Sequence, residues 1–243
     1  MSLIIPQWPA PAQVRAVSTL RHGGVSEGNW CSLNLGGHVG DKAEHVRANR
    51  ERLVSLAALP AMPQWLNQVH STDVEHLSAR MDPQPRQADA CITREPGVVC
   101  AVMTADCLPV LFCSDDGREV AAAHAGWRGL CGGVLENTLA QFQAPPDRIH
   151  AWLGPAIGPD AFEVGAEVRR AFMDIDPRAA DAFRPVGDKF FADIWHLARQ
   201  RLQAAGVQSV SADSRCTFSE PDNFFSYRRD GSTGRMATLI WLL

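Results

Sequence analysis

Residues 98–129 read VVCAVMTADCLPVLFCSDDGREVAAAHAGWRG, and this stretch decides the fold. Two apolar runs, at 98–104 and 108–113, are followed by a third at 118–123. The dipeptide Asp116-Gly117 between the last two runs is typical of a two-residue hairpin turn. The stretch therefore predicts three consecutive strands, of which the last two pair as an antiparallel hairpin.

The length of that turn fixes which residues face each other across the hairpin. A two-residue turn places Pro109 opposite His124 and Cys107 opposite Gly126. Because side chains two positions apart share a face of a sheet, Cys107 and His124 then lie on one face at the open end of the hairpin. A loop one residue longer would put them on opposite faces.

Outside the hairpin, short apolar runs are interspersed with helical patterns. The predicted strands are at residues 14–20, 65–70, 73–77, 207–212 and 236–242, and the predicted helices are at 41–59, 133–142, 165–173 and 193–205. Asp41, with Glu44 three residues later, is the expected N-cap of the first helix. The longest breaker-rich stretch, residues 81–87, is too short for a domain linker. The pattern predicts a single α+β domain over residues 1–243.

Composition excludes several classes of protein. The 243 residues include 23 basic and 27 acidic side chains, a net charge of −4, which argues against binding to nucleic acid or to an anionic membrane surface. No apolar run approaches the roughly 20 residues of a membrane span. The seven cysteines are an odd number without a Cys-x-x-Cys pair, and residues 1–9 lack the features of a secretory signal. We expect a reduced, cytoplasmic protein.

The open end of the hairpin is the candidate site. A metal ion with bonds of about 2.3 Å to sulfur and about 2.0 Å to nitrogen would join Cys107 and His124 with small adjustments. Gly126 and Gly129 allow the backbone to approach a ligand closely. Asp106, beside Cys107, is a candidate proton acceptor. The residues leave a second interpretation open, in which Cys107 is a buried core thiol and His124 a strand-end histidine without a function.

Several segments resemble the bacterial YfiH family, which includes proteins described as laccase-domain or polyphenol oxidase-like. They are NQVHS at 67–71, ADCLP at 105–109, HAGWRG at 124–129 and FSYRRD at 225–230, with SLNLG at 32–36 and LGPAIG at 153–158. Ser71 stands where many members have Gly. The resemblance covers nearly the whole chain. It implies two β-sheets packed back to back with helices outside, an α/β/β/α sandwich.

The resemblance also implies a metal site and an activity. Its metal ligands are His70, Cys107 and His124, and the metal is most often zinc. The implied activities are phosphorolysis of adenosine, inosine, guanosine and methylthioadenosine, and deamination of adenosine. The expected small-molecule partners are therefore a purine nucleoside and phosphate.

These chemistries suggest roles for further side chains. Three protein ligands leave one tetrahedral position for water or substrate, which is typical of a catalytic zinc. Asp106, Cys107 and His124 are the candidate catalytic residues. Arginines suit phosphate because their planar fork donates two parallel hydrogen bonds. The candidate substrate-binding residues are Gln68, Arg50, Arg128, Tyr227, Arg228 and Arg229.

Alternative functions remain open at this point. Cys107 as nucleophile and His124 as base would make a cysteine hydrolase, with a peptidoglycan precursor as one possible substrate. A His₂Cys set also resembles a blue-copper site, so a copper-dependent polyphenol oxidase activity is an alternative. The chain has eight histidines and no His-x-His pair, which is too few for a multicopper centre. In a further alternative, the metal only joins two strands to a loop.

Overall fold

The computed structural model describes residues 3–80 and 84–243. Residues 1–2 of the N-terminal stretch and 81–83 of the breaker-rich stretch therefore lie outside the described part. The strands are β1 Leu3–Ile4, β2 Val14–Thr19, β3 Val74–His76, β4 Ala90–Thr93, β5 Val99–Thr104, β6 Leu108–Ser114, β7 Val120–Ala125, β8 Ile149–Leu153, β9 Glu163–Val164, β10 Phe183–Val186, β11 Lys189–Ala192, β12 Ser209–Ala212 and β13 Met236–Leu242. The α-helices are α1 Ala43–Leu56, α2 Trp127–Gly132, α3 Val134–Leu139, α4 Ala166–Met173, α5 Ile194–Ala204 and α6 Tyr227–Asp230, and short 3₁₀ turns cover Gly28–Trp30, Pro146–Arg148 and Pro177–Ala182.

The strands form two large sheets and a small one. The four-stranded sheet has the order β1-β2-β13-β5, and all its neighbours are antiparallel. The six-stranded sheet has the order β12-β8-β6-β7-β4-β3, with parallel pairs only at its two edges. Strands β10, β11 and β9 form the small sheet. Among the described residues, no helix has the length and apolar character needed to cross a bilayer.

The two large sheets pack face to face. Val102 and Ile240 of the four-stranded sheet share one buried cluster with Leu111 and Trp152 of the six-stranded sheet. Phe112, the neighbour of Leu111, belongs instead to the cluster that packs against the helices. Because both faces of β6 are buried, its sequence is continuously apolar rather than alternating.

Helices cover the outer faces of both sheets. The outer face of the six-stranded sheet packs against helices α3, α4 and α5 through Leu135, Val168 and Leu197. The outer face of the four-stranded sheet packs against α1 through Leu53. The resulting layers confirm the α+β fold class and the α/β/β/α arrangement.

The central hairpin has the register that the turn length predicts. Pro109 pairs with His124, and the amide of Gly117, at a φ of +67°, donates to the carbonyl of Ser114 over 2.9 Å. The residue conformation at Gly117 is in the left-handed region, which glycine adopts without strain. Cys107 and His124 therefore approach each other at the open end of the hairpin, where β6 begins and β7 ends.

Two local predictions from the sequence were wrong. Asp41 does not cap α1. Lys42 takes the N-cap position, and the Asp41 carboxylate accepts hydrogen bonds from Ser26 Oγ over 2.6 Å and Asn34 Nδ2 over 2.9 Å. Residues 65–70 form no strand but a single bridge from Asn67 to Gln87, because the main-chain amides that follow turn towards a buried carboxylate.

Candidate metal centre and adjoining cavities

Three side chains with metal-binding atoms meet at the open end of the hairpin. The ligand atoms of His70, Cys107 and His124 all lie within 4.8 Å of one another. Cys107 Sγ is 3.7 Å from His70 Nε2. Two ligands of a tetrahedral zinc, with bonds of about 2.3 Å and about 2.0 Å, are roughly 3.5 Å apart. The structure brings the three expected ligands together, and their donor set fits a metal ion.

The backbone is bent sharply on both sides of this group. His70 has a φ of +62° and Asp106 a φ of +86°. These values lie in the left-handed region, which costs residues with a Cβ about 1–3 kcal/mol and persists where the surroundings hold it. The two bends occur at one of the three candidate ligands, His70, and beside another, Cys107. The contacts that shape the site therefore offset the energetic cost of these two backbone conformations.

A carboxylate that sequence reasoning missed holds two of the three candidate ligands. Asp89 is fully buried, and its oxygens accept hydrogen bonds from the main-chain amides of Val69 (3.1 Å), His70 (3.0 Å) and Ser71 (2.6 Å). The same carboxylate lies 2.7 Å from Nδ1 of His124. Asp89 therefore fixes both the bend at His70 and the orientation of the His124 ring.

The contact with Asp89 also decides which nitrogen of His124 is free. Because Nδ1 is hydrogen-bonded to Asp89, Nε2 is the atom that remains for Cys107 or for a metal. Burial opposes the charge on Asp89, but the hydrogen bond from His124, its charge and the main-chain amides outweigh it and lower the pKa of Asp89 to about 2. The carboxylate is therefore ionised throughout the neutral range.

Cys107 and His124 stabilise each other's charge when no metal is bound. Burial disfavours the thiolate, but the attraction and hydrogen bond of His124 outweigh burial and lower the pKa of Cys107 to about 6. Burial likewise disfavours imidazolium, yet Cys107 and Asp89 raise the pKa of His124 to about 9. A thiolate–imidazolium pair is expected between these two values.

Glycine at position 126 leaves the space in which the ligands converge. A Cβ added there would lie 2.7 Å from Cδ2 of His70 and 3.0 Å from Sγ of Cys107. The backbone of Gly126, at φ −65° and ψ 160°, is one that any residue adopts. The requirement for glycine is therefore steric and local to the metal ligands.

A Gly126→Ala variant is expected to fold but to bind metal about tenfold or more weakly, because the methyl group displaces the His70 ring and the Cys107 sulfur. A metal-competition titration measures the affinity, and circular dichroism checks the fold. Gly37→Ala is the matched control, since its Cβ would meet only the Arg50 guanidinium at 4.0 Å. Unchanged affinity in Gly126→Ala would contradict the proposed packing of the ligands.

Two cavities adjoin the group. The larger, here the polar cavity, has a volume of about 370 Å³. It is lined by His38, Gln68, His70, Met103, Thr104, Ala105, Cys107, His124, Arg128, Tyr227 and Arg235. The smaller, here the apolar cavity, has about 220 Å³ and is lined by Ala105, Asp106, Cys107, Trp127, Arg128, Ile157, Phe162, Ile194, Tyr227 and Arg228. Ala105, Cys107, Arg128 and Tyr227 line both.

Three of the predicted substrate-binding residues line the polar cavity. Arg128 is exposed, and its guanidinium lies 4.4 Å from the centre of the Trp127 ring. Tyr227 is 61% exposed at the border of both cavities. Gln68 bonds the main chain of Met103 twice, accepting from its amide over 2.7 Å and donating to its carbonyl over 2.8 Å. Both the oxygen and the nitrogen of the Gln68 side-chain amide are thus already hydrogen-bonded.

The three other arginines take different positions. Arg228 lines the apolar cavity and donates from Nη1 to the carbonyl of Glu163 over 2.8 Å. Arg229 lines neither cavity, and its guanidinium binds main-chain carbonyls, including that of Thr217 over 2.9 Å. Arg50 donates twice to the carbonyl of Leu35 and lines a separate cavity. Burial lowers the pKa of Arg50 to about 10.

Asp106 lines the apolar cavity, but its carboxylate is already bonded. It accepts from Thr217 Oγ1 over 2.7 Å, from Ser226 Oγ over 3.0 Å and from the amide of Arg228 over 2.7 Å. These bonds tie the start of α6 to the metal centre. A role for Asp106 in proton transfer stays a prediction.

Sequence reasoning also missed His38 and Arg235, which both line the polar cavity. His38 directly follows Gly36 and Gly37, and Arg235 directly precedes β13. Neither position carries a local pattern that marks it as part of a site. Asp89 becomes recognisable only once β4 is known to pair with β7, which brings it beside His124.

The chain is similar over its whole length to known proteins. The model of a family described as multi-copper polyphenol oxidoreductase laccase matches residues 15–243. Proteins named purine nucleoside phosphorylase YfiH, from Shigella flexneri and Escherichia coli, are each 58% identical over 241 residues, which is 99% of this chain and 99% of theirs. A Pseudomonas aeruginosa protein named purine nucleoside phosphorylase is 52% identical over 242 residues, 98% of each chain.

Solved structures have the same fold. A crystal structure of a Neisseria meningitidis protein matches with a TM-score of 0.95 and 53% identity, covering 100% of this chain and 99% of that one. The crystal structure of YlmD from Geobacillus stearothermophilus matches with a TM-score of 0.94 and 32% identity, covering 100% of this chain and 96% of that one.

Proposed function

This chain belongs to the multi-copper polyphenol oxidoreductase laccase family, which includes the YfiH proteins, and from that premise we propose that it is a metal-dependent purine nucleoside phosphorylase. The observation that carries the proposal is the shared name of relatives that are 58% identical over 99% of both chains. The group formed by His70, Cys107 and His124, with two cavities beside it, supports the proposal.

The reaction requires places for an attacking and a leaving group. A phosphate oxygen forms a bond to C1′ of the ribose while the bond from C1′ to the purine nitrogen breaks, and the purine leaves with the electron pair and takes a proton. The walls of the apolar cavity include Trp127, Ile157 and Phe162, which suit the flat apolar faces of a purine. We propose adenosine, inosine, guanosine and methylthioadenosine as its nucleosides.

The residues at the border of the cavities would hold the sugar. Arg128 and Tyr227 line both cavities and are exposed, so they can contact a ribose that passes Cys107. Asp106 is our candidate for moving the proton to the departing base. The hydrogen bonds that it accepts from the hydroxyls of Thr217 and Ser226 hold the carboxylate at the wall of the apolar cavity. The same residue would serve in the deamination of adenosine, which we include in the proposal.

The donor set fits zinc, the metal that we propose. One thiolate and two imidazoles suit zinc, and they also suit copper. When bound, the metal would supply Lewis-acid chemistry next to the ribose. The Asp89 contact at Nδ1 leaves Nε2 of His124 for that metal, in the tautomer that a ligand needs.

Metal analysis combined with product identification tests the proposal. We expect about one zinc ion per chain. Incubation with inosine and phosphate should release the free base together with ribose 1-phosphate, and omission of phosphate should stop the reaction. Chelation should also stop it, and added zinc should restore it. Release of free ribose without phosphate, or turnover that survives chelation, would contradict the proposal.

A second candidate function rests on a specific arrangement in the same site. Asp89 is bonded to Nδ1 of His124, and His124 in turn faces Cys107, so an orienting acid, a base and a nucleophile lie in sequence. In a cysteine hydrolase, the Cys107 thiolate would attack the carbonyl carbon of an amide, and His124 would give its proton to the amine that departs as the C–N bond breaks. Water would then hydrolyse the thioester. An amide of a peptidoglycan precursor is the proposed substrate for this alternative.

Alkylation separates the two candidates. In chelated protein we expect iodoacetamide to label Cys107 readily at neutral pH, because the pKa of this thiol is lowered to about 6. Mass spectrometry of labelled peptides across a pH series measures this, with the exposed Cys31 as internal reference. A His124→Gln variant should shift the labelling of Cys107 to higher pH. Turnover that survives chelation but is lost on alkylation would favour the hydrolase.

A further inference from the structure

The polar cavity has an excess of basic side chains. Its lining includes two arginines and three histidines, and no Asp or Glu among the described residues lines it. The acidic groups of its lining are the thiol of Cys107, which the metal would bind, and the phenol of Tyr227. Of the basic residues, His70 and His124 are metal ligands. The other three are His38, Arg128 and Arg235.

Arg235 is held so that part of its guanidinium stays open. Its Nη1 donates to the carbonyls of Thr233 and Gly234, both over 3.0 Å. In residues 3–80 and 84–243, no acceptor bonds its Nε or Nη2 and no carboxylate forms an ion pair with it. The stem is packed against Gly36, where an added Cβ would meet Cγ of Arg235 at 2.8 Å. The side chain is therefore fixed, with donors left for a ligand.

His38 stands close to this arginine. Partial desolvation at the cavity wall lowers the pKa of His38, and the charges of Arg235 and Arg50 lower it further. Burial also lowers the pKa of Arg235. Arg128 has no ion-pair partner within the described part of the chain and is stacked on Trp127. Two guanidinium groups without a carboxylate partner are unfavourable in an empty cavity and favourable around an anion, to which His38 would add a hydrogen-bond donor.

We propose that the polar cavity binds a phosphate group between His38 and Arg235. The inference rests on the proposed function and deepens it, because it separates the two ends of the reaction. Phosphate in the polar cavity and purine in the apolar cavity would approach the sugar from different cavities that meet at Cys107. The free Nε and Nη2 of Arg235 are the parallel donors that suit two phosphate oxygens.

Kinetics with varied phosphate test the site in zinc-loaded protein. His38→Gln changes an exposed side chain and should leave the fold intact, whereas Arg235→Gln also loses two bonds to its own loop and needs a fold check by circular dichroism. We expect both variants to raise KM for phosphate about tenfold or more, with KM for inosine within about twofold of the wild type. His22→Gln, an exposed histidine outside both cavities, is the matched control.

A binding measurement without turnover completes the test. Inorganic phosphate, and separately adenosine 5′-monophosphate, should raise the melting temperature of the wild type but not of His38→Gln. A rise with the nucleotide alone would support the site and assign its phosphate to a nucleotide. If the wild type forms ribose 1-phosphate and the variants keep its KM for phosphate, this inference is overturned while the proposed function stands. If the wild type forms none, the proposed function fails, and the melting shifts alone decide the site.

Discussion

An Asp89→Asn variant is expected to bind metal about 10–100-fold more weakly than the wild type and to unfold at a lower temperature. The Asp89 carboxylate accepts hydrogen bonds from three main-chain amides and faces His124 Nδ1. The side chain of Asn has only one oxygen, and its NH₂ group would point at one of these donors. Each buried donor left without an acceptor costs about 1–3 kcal/mol. A metal-competition titration and thermal unfolding of chelated protein measure the two effects.

Asp116→Asn is the control for that variant. The Asp116 carboxylate lies in the hairpin turn, where its contacts are Ser114 and Arg118, and its side chain is 46% exposed. We expect its metal affinity to equal that of the wild type. Equal affinity in Asp89→Asn as well would show that the buried carboxylate does not position the ligands.

The pH dependence of stability follows from the same residue. The folded-state pKa of Asp89 is lowered to about 2, so its contribution to stability is present above the unfolded pKa of about 3.9. The contribution is lost as the pH falls from about 4 towards about 2. Chelated Asp89→Asn should lack this part of the acid transition, which unfolding at a series of pH values measures.

A Cys107→Ser variant is expected to lose bound zinc and turnover together. Serine replaces the thiolate by a hydroxyl that stays protonated at neutral pH and is a poor ligand for zinc. The loss should exceed the 10–100-fold typical of removing an outer hydrogen-bond partner. Elemental analysis and ribose 1-phosphate formation measure the two losses, and circular dichroism checks the fold.

Cys31→Ser is the control for this change, because Cys31 is an exposed thiol that lines neither cavity. It should keep the zinc content and the turnover of the wild type. If Cys107→Ser keeps both as well, the group formed by His70, Cys107 and His124 is not the reactive centre.

The hairpin and two of the three candidate metal ligands follow from the sequence by simple geometry. The turn at Asp116-Gly117 fixes the pairing of Pro109 with His124, and that pairing brings Cys107 close to His124. Because side chains alternate between the two faces of a strand, the turn length determines which residues pair and which face each side chain occupies. His70 came from the resemblance to a family, since no local pattern links residue 70 to the hairpin.

The remaining parts of the site depend on contacts between distant segments. Asp89 precedes β4, a strand of four residues without a clear period, so its position beside His124 is set by tertiary pairing. His38 comes from a loop, and Arg235 is the residue just before β13. A sequence also does not distinguish an arginine whose guanidinium is bonded to carbonyls, such as Arg229, from one that is free to bind a ligand.

The paired amide of Gln68 has a consequence for self-association. Strand β5 is the outer strand of the four-stranded sheet, and both outward main-chain groups of Met103 are taken by Gln68. An unpaired sheet edge is a template on which another polypeptide can add a strand, and natural proteins block such edges. Shortening Gln68 to alter substrate preference would therefore also expose the amide and carbonyl of Met103 at this edge, where a second polypeptide could pair with them.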